Sequence, residues 1–214
     1  MFFEKVSTSE IESICTRKTE LPFKKGAVII REGDPINSFI YLKEGLVKLY
    51  RRADDEREQI ICFALPLDFV SLLSVFSEKQ YNYSVAALED SVTCNIDLDE
   101  VIHVAITNGK FALSLIEKVN KVTDKIILDF LNLKQKRLYG RIAYILLFFS
   151  REIYHNNSFN LPVSRKEIAE YIGMTTENVI RTLSDFRKDG IIKIFGPVIE
   201  IVDEDRLSRI ADLS

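Results

Sequence analysis

A single change of pattern at Asp97 divides this sequence into a β-rich part and a helical part. Before it, short runs rich in β-branched and aromatic residues recur at roughly the 8–12-residue spacing of a β-sandwich or barrel, separated by turn signals such as Gly33-Asp34. This pattern predicts an antiparallel β-domain, preceded by a short polar helix over residues 4–20. The predicted strands are Ala27–Arg31, Phe39–Leu42, Leu46–Arg51, Gln59–Phe63, Tyr83–Leu88 and Val92–Ile96.

Residues 108–136 predict one long helix, because they contain no proline and their only glycine, Gly109, stands at the start. At 1.5 Å per residue this helix would span about 42 Å, more than a small domain needs for itself. It is either a core helix of the β-domain or a dimerisation helix that also packs partly on its own domain, and we favour the second. Its apolar residues have near-heptad spacing: Leu115, Val119, Val122, Ile126, Phe130 and Leu133.

The apolar pattern is interrupted at Lys134-Gln135-Lys136-Arg137, and Gly140 follows. We therefore predict an α+β protein in three parts. These are a β-domain over residues 1–107, a dimerisation helix and hinge over residues 108–137, and a smaller domain over residues 138–214.

The segment from Ser164 to Gly190 carries the most specific motif of the chain. Ser164 is a predicted N-cap with a capping-box glutamate three residues later, and Gly173 ends that helix. Thr175 or Thr176 caps a second helix, which stops at Gly190. Two short helices joined by a turn that contains glycine predict a helix-turn-helix. A β-hairpin over Ile191–Phe195 and Val198–Val202 adds a wing.

A helix-turn-helix of this kind places its second helix in the major groove of DNA, with the N-terminal residues at the base edges. The candidate base-reading residues on the outward face are Thr176, Glu177, Ile180 and Arg181. An arginine can bind guanine with two hydrogen bonds, and a glutamate can accept one from a cytosine amine. Glu177 and Arg181 are also spaced to form an ordinary i,i+4 ion pair. The candidate phosphate contacts are Ser164, Arg165, Thr175 and Lys188.

Composition excludes several other classes of protein. A net charge of −3 excludes a strongly cationic protein, and residues 137–214 hold 11 basic and 11 acidic side chains, so the DNA hypothesis depends on pattern and not on charge. The three cysteines are far apart, which argues against a disulfide framework or a metal site. No apolar run approaches the length of a membrane span, and no glycine-rich phosphate loop or catalytic motif is present, so we expect a cytoplasmic protein that is not an enzyme.

The order of β-domain, long helix and winged helix-turn-helix resembles the Crp/Fnr family of bacterial transcription regulators, relatives of the cyclic-AMP receptor protein. Ser164–Gly190 and Gly140-Arg141-Ile142-Ala143 carry the resemblance most strongly. It implies a β-roll of the cyclic-nucleotide-binding type, and it places Glu177 and Arg181 on the family's base-reading glutamate and arginine. It also implies a homodimer, an inverted-repeat operator, a contact with RNA polymerase, and a long helix that transmits a signal to the DNA-binding domain.

The part that corresponds to the family's ligand site departs from the family pattern. Cyclic-nucleotide binders carry a glycine–glutamate pair and, about ten residues later, an arginine. Here Ser71 and Leu72 replace the pair, and the chain has no arginine between Arg57 and Arg137. We expect no cofactor, and cyclic AMP is not the expected effector. The sequence allows two interpretations of this region, an apolar effector pocket or a filled core. The residues concerned are Ser71, Leu72, Leu73, Asn82, Tyr83, Ser84, Ile126 and Ile127.

The sequence therefore predicts a homodimeric, sequence-specific DNA-binding regulator that responds to an unidentified signal, with a small molecule as one possible effector. The alternative is a non-catalytic module whose winged domain binds protein. Substituting Glu177 or Arg181 by alanine distinguishes the two, because only DNA binding should weaken.

Overall fold

The computed structural model describes residues 18–53 and 57–213 of the 214-residue chain. The described residues divide into two compact units, one formed by residues 18–52 with 61–126 and the other by residues 53 and 57–60 with 127–213. Most of the helix predicted over residues 4–20 lies outside the described residues. Its last three residues, 18–20, belong to a β-strand, so the prediction is wrong there.

The first unit contains two antiparallel sheets, and all six predicted strands are present. β7 pairs with β1 and β3 in one sheet, and the other sheet has the order β2-β6-β4-β5. One strand, β1, was not predicted. The strands are β1 (Lys18–Phe23), β2 (Val28–Ile30), β3 (Ser38–Glu44), β4 (Val47–Arg52), β5 (Glu58–Ala64), β6 (Ser84–Ala87) and β7 (Ser91–Asp97).

The turn at Gly45 has two separate requirements for glycine. Its φ is +94°, in the left-handed region that L side chains rarely adopt. In addition, a Cβ placed there would stand 2.6 Å from the carbonyl oxygen of Asp90. This close approach joins the β3–β4 turn to the loop before β7.

Helices begin at the end of β7, as the sequence pattern predicts. Asp97 caps α1 (Leu98–Thr107) by accepting hydrogen bonds from the first backbone N–H groups of that helix. Asn108 then caps α2 (Gly109–Gln135) in the same way. The predicted long helix is therefore confirmed, with 27 residues. Its first turns bury Phe111 and Leu115 in the core of the β-roll.

The second unit is mostly helical and carries a three-stranded sheet of order β8-β10-β9. Ser158 begins the first strand of this sheet, β8. The helices are α3 (Leu138–Phe148), continued by a π-helix (Phe149–Tyr154), then α4 (Arg165–Ile172), α5 (Thr176–Lys188) and α6 (Glu204–Leu213). The strands are β8 (Ser158–Asn160), β9 (Ile192–Phe195) and β10 (Val198–Ile201).

The core of the second unit is apolar and fully enclosed. Its members come from α3 and the π-helix that continues it, from α4 and α5, and from the sheet, and include Ile142, Leu146, Phe149, Ile168, Leu183, Phe186 and Ile199. The C-terminal helix α6 is attached by Arg151, which forms an ion pair with Glu204 at 2.8 Å. Among the described residues, none of the helices has the length and hydropathy needed to cross a membrane.

Candidate nucleic-acid interface

The first helix of the helix-turn-helix, α4, begins with a complete capping box. The Ser164 hydroxyl accepts a hydrogen bond from the backbone N–H of Glu167 at 3.1 Å, and the Glu167 carboxylate accepts one from the backbone N–H of Ser164 at 2.8 Å. Gly173, with φ of +68°, ends the helix in the left-handed conformation. The predicted start and end of α4 are both confirmed.

The second helix, α5, presents the candidate reading face. Thr175 is the N-cap, since its hydroxyl oxygen accepts from the backbone N–H of Asn178 at 3.3 Å. Val179, Leu183 and Phe186 are buried along the inner side, as their spacing predicts. Packing of this apolar stripe fixes which residues of α5 point outward.

The four predicted base-reading residues occupy the first two turns of α5. Glu177, Ile180 and Arg181 are exposed, and Thr176 is half-buried. Arg181 Nη2 donates a hydrogen bond to Asn178 Oδ1 at 2.8 Å. The structure therefore pairs Arg181 with Asn178 and not with Glu177, so the i,i+4 pair that the sequence allows does not form among the described contacts.

The carboxylate of Glu177 is charged and oriented by its surroundings. Hydrogen bonds from its own backbone N–H and from the Thr175 hydroxyl hold the pKa of Glu177 below its ordinary value. At neutral pH it is an acceptor, which suits the amine of a cytosine. The Thr175 hydroxyl takes part in this bond and in the helix cap, and its contact with a phosphate stays a prediction.

The other phosphate candidates differ in how available they are. Ser164 is exposed, but its hydroxyl oxygen serves the capping box. Arg165 stands at the first position of α4, where backbone N–H groups favour an anion. Partial burial lowers the pKa of its guanidinium, and none of the ion pairs among the described residues involves it. Lys188, at the far end of α5, lies 4.0 Å from Asp185.

The sequence analysis did not identify three side chains that stabilise or orient the recognition helix: Asn178, Tyr139 and Asp185. Asn178 orients Arg181, as described above. Tyr139 on α3 donates a hydrogen bond to Asp185 of α5 at 2.7 Å, and its ring packs on Phe186 at 5.6 Å between centroids. Only the i,i+3 spacing of Asn178 and Arg181 was visible in the sequence. The contact of Tyr139 joins residues far apart in the chain.

Arg141 joins the ends of two helices in the second unit. Its Nε donates to the carbonyl of Lys136, just after α2, and its Nη1 donates to the carbonyl of Ile172, the last residue of α4, both at 2.8 Å. The C-terminal carbonyls of helices lack partners inside the helix and attract a cation. Arg141 therefore connects the end of the long helix to the turn of the helix-turn-helix.

The wing is the antiparallel hairpin of β9 and β10. Gly196 closes it with φ of +59°, and Lys193 pairs with Glu200 across the strands at 3.0 Å. Phe195, at the tip, is 59% exposed.

The long helix carries two apolar faces, and the predicted seam is largely the inner one. Leu115 is buried, and Val119 and Val122 pack against the core of the β-roll. Ile126 is half-buried, Leu133 is buried, and Phe130 is exposed. Of the six predicted seam residues, Phe130 is the most exposed, at 62%. Leu115, Val119 and Val122 thus provide the partial packing on its own domain that the sequence predicts for this helix, and the dimer seam itself stays a prediction.

A second face of α2 is exposed and also has heptad spacing. Leu113, Ile116, Ile127 and Phe130 are each at least half exposed, and exposed Asn120 and half-buried Thr123 continue the same face. The steps between these six residues alternate between three and four, which is the spacing of a coiled-coil seam.

The region of the predicted effector pocket is mostly filled. Ser71 is buried, and its hydroxyl accepts from the backbone N–H of Ile40 at 2.9 Å. Tyr83 is buried and donates to the carbonyl of Val70 at 2.9 Å, and burial raises its pKa. Leu72 is buried, and Leu73 packs partly against the same core. These side chains point to core packing.

The remaining predicted pocket residues have different surroundings. The Ser84 hydroxyl accepts from the backbone N–H of Glu32, and Ile127 is half exposed. Asn82 is exposed and lines an open surface groove of about 750 Å³ between the loop over residues 75–82 and the start of α1. A cyclic phosphate would meet no arginine among the residues at these positions.

Two family models match this chain. One is the cyclic nucleotide-binding domain, over residues 20–108, and the other is the Crp-like helix-turn-helix domain, over residues 140–210. The first covers the β-roll and α1, and the second covers the helix-turn-helix and its wing.

Similar proteins are transcription regulators. Electron transport regulator A of Shewanella oneidensis is 27% identical over 206 residues, which is 94% of this chain and 81% of that protein. Transcriptional activator protein FnrA of Stutzerimonas stutzeri is 28% identical over 194 residues, 89% of this chain and 79% of that one. The solved structure of FixK2 from Bradyrhizobium japonicum is 26% identical, with a TM-score of 0.80 over 90% of this chain and 96% of that chain.

Proposed function

Because this chain belongs to the Crp/Fnr family of DNA-binding transcription regulators, we propose that it acts as a homodimer that reads an inverted-repeat operator with its paired α5 helices. The family's members regulate transcription and are not enzymes. The observation that carries the proposal is the exposed Glu177–Arg181 face at the start of a capped, well-packed helix. This function belongs in the cytoplasm, where bacterial DNA is.

Each reading head would combine two kinds of contact. Arg181 suits the two acceptors of a guanine, and Glu177 suits the amine of a cytosine. Arg165, at the N-terminus of α4, would bind a backbone phosphate and set the register without selecting a sequence. Since the charges of residues 137–214 balance, few phosphate contacts are expected, and the dependence of affinity on salt should be modest.

The homodimer would form through the exposed face of α2 that contains Leu113, Ile116, Ile127 and Phe130. Pairing of these faces would bury apolar side chains that the chain leaves in water. Two recognition helices about 34 Å apart would then enter successive major grooves on one side of the DNA, which requires an inverted repeat.

We propose that the β-roll senses a signal other than a cyclic nucleotide. A cyclic phosphate needs a cation that can form two hydrogen bonds, and the segment from residue 58 to 136 contains no arginine. The hydroxyls of Ser71 and Tyr83 are already bonded to the backbone. A signal of another kind would act through α2, whose end Arg141 connects to the helix-turn-helix. RNA polymerase is a further proposed partner.

Selection of bound duplexes from a random pool, with the purified full chain and no added ligand, tests the proposal. We expect enrichment of two short half-sites in inverted repeat, centred about one helical turn apart. Glu177→Ala and Arg181→Ala should each weaken binding by about 1–3 kcal/mol and relax the preference at one base.

A folded dimer that enriches no sequence, with or without cell extract, would contradict the proposal. That result would favour the alternative in which the winged domain binds protein. Cell extract that restores enrichment would instead show that an effector is required.

A further inference from the structure

Ile180 interrupts the polar surface of the recognition helix. Its side chain is 55% exposed, while the apolar stripe of α5, Val179, Leu183 and Phe186, is buried on another side of the helix. Ile180 therefore contributes little to the core of the second unit. Its β-branched side chain has one strongly preferred rotamer in a helix, so its methyl groups have a fixed direction.

Single exposed apolar residues are common and usually have no function, but Ile180 lies among the proposed base-reading residues. It follows Glu177 by three residues and precedes Arg181 directly, and both neighbours are exposed. Arg181, beside it, donates a hydrogen bond to Asn178. If Glu177 and Arg181 reach base edges, the side chain between them reaches the same groove.

An aliphatic side chain can recognise one feature of the major groove. It neither donates nor accepts hydrogen bonds, so it cannot distinguish the polar edges of guanine, adenine or cytosine. Thymine alone presents an apolar group there, its C5 methyl. Contact between this methyl and an isoleucine removes apolar surface of both from water.

We propose that Ile180 contacts the methyl group of one thymine in each half-site, and so makes that thymine part of the recognised sequence. The inference depends on the proposed function and deepens it, since it adds an apolar reading contact to the polar ones of Glu177 and Arg181.

Replacing thymidine by deoxyuridine tests this contact, because the change removes only the methyl group. In the duplex selected by the wild-type chain, each symmetric pair of thymines is replaced in turn, and the affinity is measured by fluorescence anisotropy. Removing the methyl group should lower the affinity about fourfold per half-site, which is the value for one buried methylene. For the symmetric pair the affinity should fall roughly 15-fold. We expect this loss at one symmetric pair of positions.

Ile180→Ala should bind the duplex with thymine more weakly than the wild type does, and should bind the thymine and deoxyuridine duplexes equally. Ile180→Val, which keeps the β-branch and loses only the terminal δ-methyl, should retain most of the discrimination. Val202→Ala is the matched control, because Val202 is 50% exposed but lies outside α5. It should leave the deoxyuridine penalty at its wild-type value. Thermal unfolding confirms that each variant is folded.

The outcomes separate this inference from the proposed function. An enriched duplex that tolerates deoxyuridine at every position, or an Ile180→Ala variant that keeps the wild-type penalty, overturns the inference alone. The wild-type measurement needs no variant, so a misfolded substitution does not weaken it. If no duplex is enriched under any condition, the proposed function is overturned and the inference with it.

Discussion

Arg181 Nη2 and Asn178 Oδ1 are joined by a hydrogen bond of 2.8 Å on the recognition helix. The backbone N–H of Asn178 in turn donates to the hydroxyl of Thr175, the N-cap. These bonds link the start of the helix to its proposed guanine reader. An arginine that is already oriented loses less side-chain freedom when it binds DNA.

Asn178→Ala is expected to weaken operator binding by about 1 kcal/mol per reading head, the usual cost of immobilising one flexible side chain on binding. The fold should be unaffected, because alanine favours a helix more than asparagine does and the backbone bond to Thr175 is kept. Anisotropy titrations of the selected duplex measure the loss. In an Arg181→Ala background the same substitution should cost almost nothing, as a double-mutant cycle would show. An equal loss in both backgrounds would mean that Asn178 acts independently of Arg181.

Arg165→Ala is expected to weaken binding to all duplexes to a similar degree and to reduce the salt slope of log Kd by about one per bound chain. The reason is the place of Arg165 at the N-terminus of α4, without an ion pair among the described residues. Lys166→Ala is the control, since that cation lies 3.6 Å from Glu170. Lys166→Ala should change the salt slope of log Kd less than Arg165→Ala does. A change of sequence preference in Arg165→Ala would show a base contact and not a phosphate contact.

Tyr81 makes the stability of the β-roll sensitive to alkaline pH. Burial, with a smaller effect of Asp34, raises the pKa of Tyr81 to about 12, compared with about 10 in an unfolded chain. Above pH 10 the unfolded phenol loses its proton before the folded one does. The contribution to stability is therefore complete below pH 10 and is lost as the pH rises towards 12.

Urea unfolding between pH 8 and 11 measures this effect. The free energy of unfolding of the wild type should fall more steeply above pH 10 than that of Tyr81→Phe. The substitution also removes the hydrogen bond from Tyr81 to the carbonyl of Ser38, which lowers stability at all pH values. The two proteins are therefore compared by the slope of the free energy of unfolding against pH. Parallel curves for the two proteins would contradict the assignment.

The local signals in the sequence were enough to predict most elements. Capping residues such as Ser164 act on their own helix, and turn glycines such as Gly173 act within a few residues. The six strands and the helix-turn-helix follow from patterns of this range. The strand over Lys18–Phe23 was missed, because its side chains are mostly exposed and its pairing with β7 is distant in sequence.

Contacts between distant residues explain what the sequence could not predict. Heptad spacing shows that Leu115 and Val119 share a face of α2, but not whether the β-roll or a second chain covers it. The bridge made by Arg141, a residue of α3, depends on the ends of α2 and α4 coming together. Whether Ser71 lines a pocket depends on its distance from Ile40, which only the fold determines.

Ile127 and Leu128 allow the dimer seam to be tested with two neighbouring substitutions. They are similarly exposed, at 50% and 58%, but they point about 100° apart around α2. Ile127 belongs to the exposed heptad face, so Ile127→Asp should place two charges in the apolar interface and dissociate the dimer in sedimentation experiments. Operator affinity should then fall, because a monomer binds one half-site. Leu128→Asp, the matched control, should remain dimeric. Two equally dimeric variants would show that this face of α2 is not the interface.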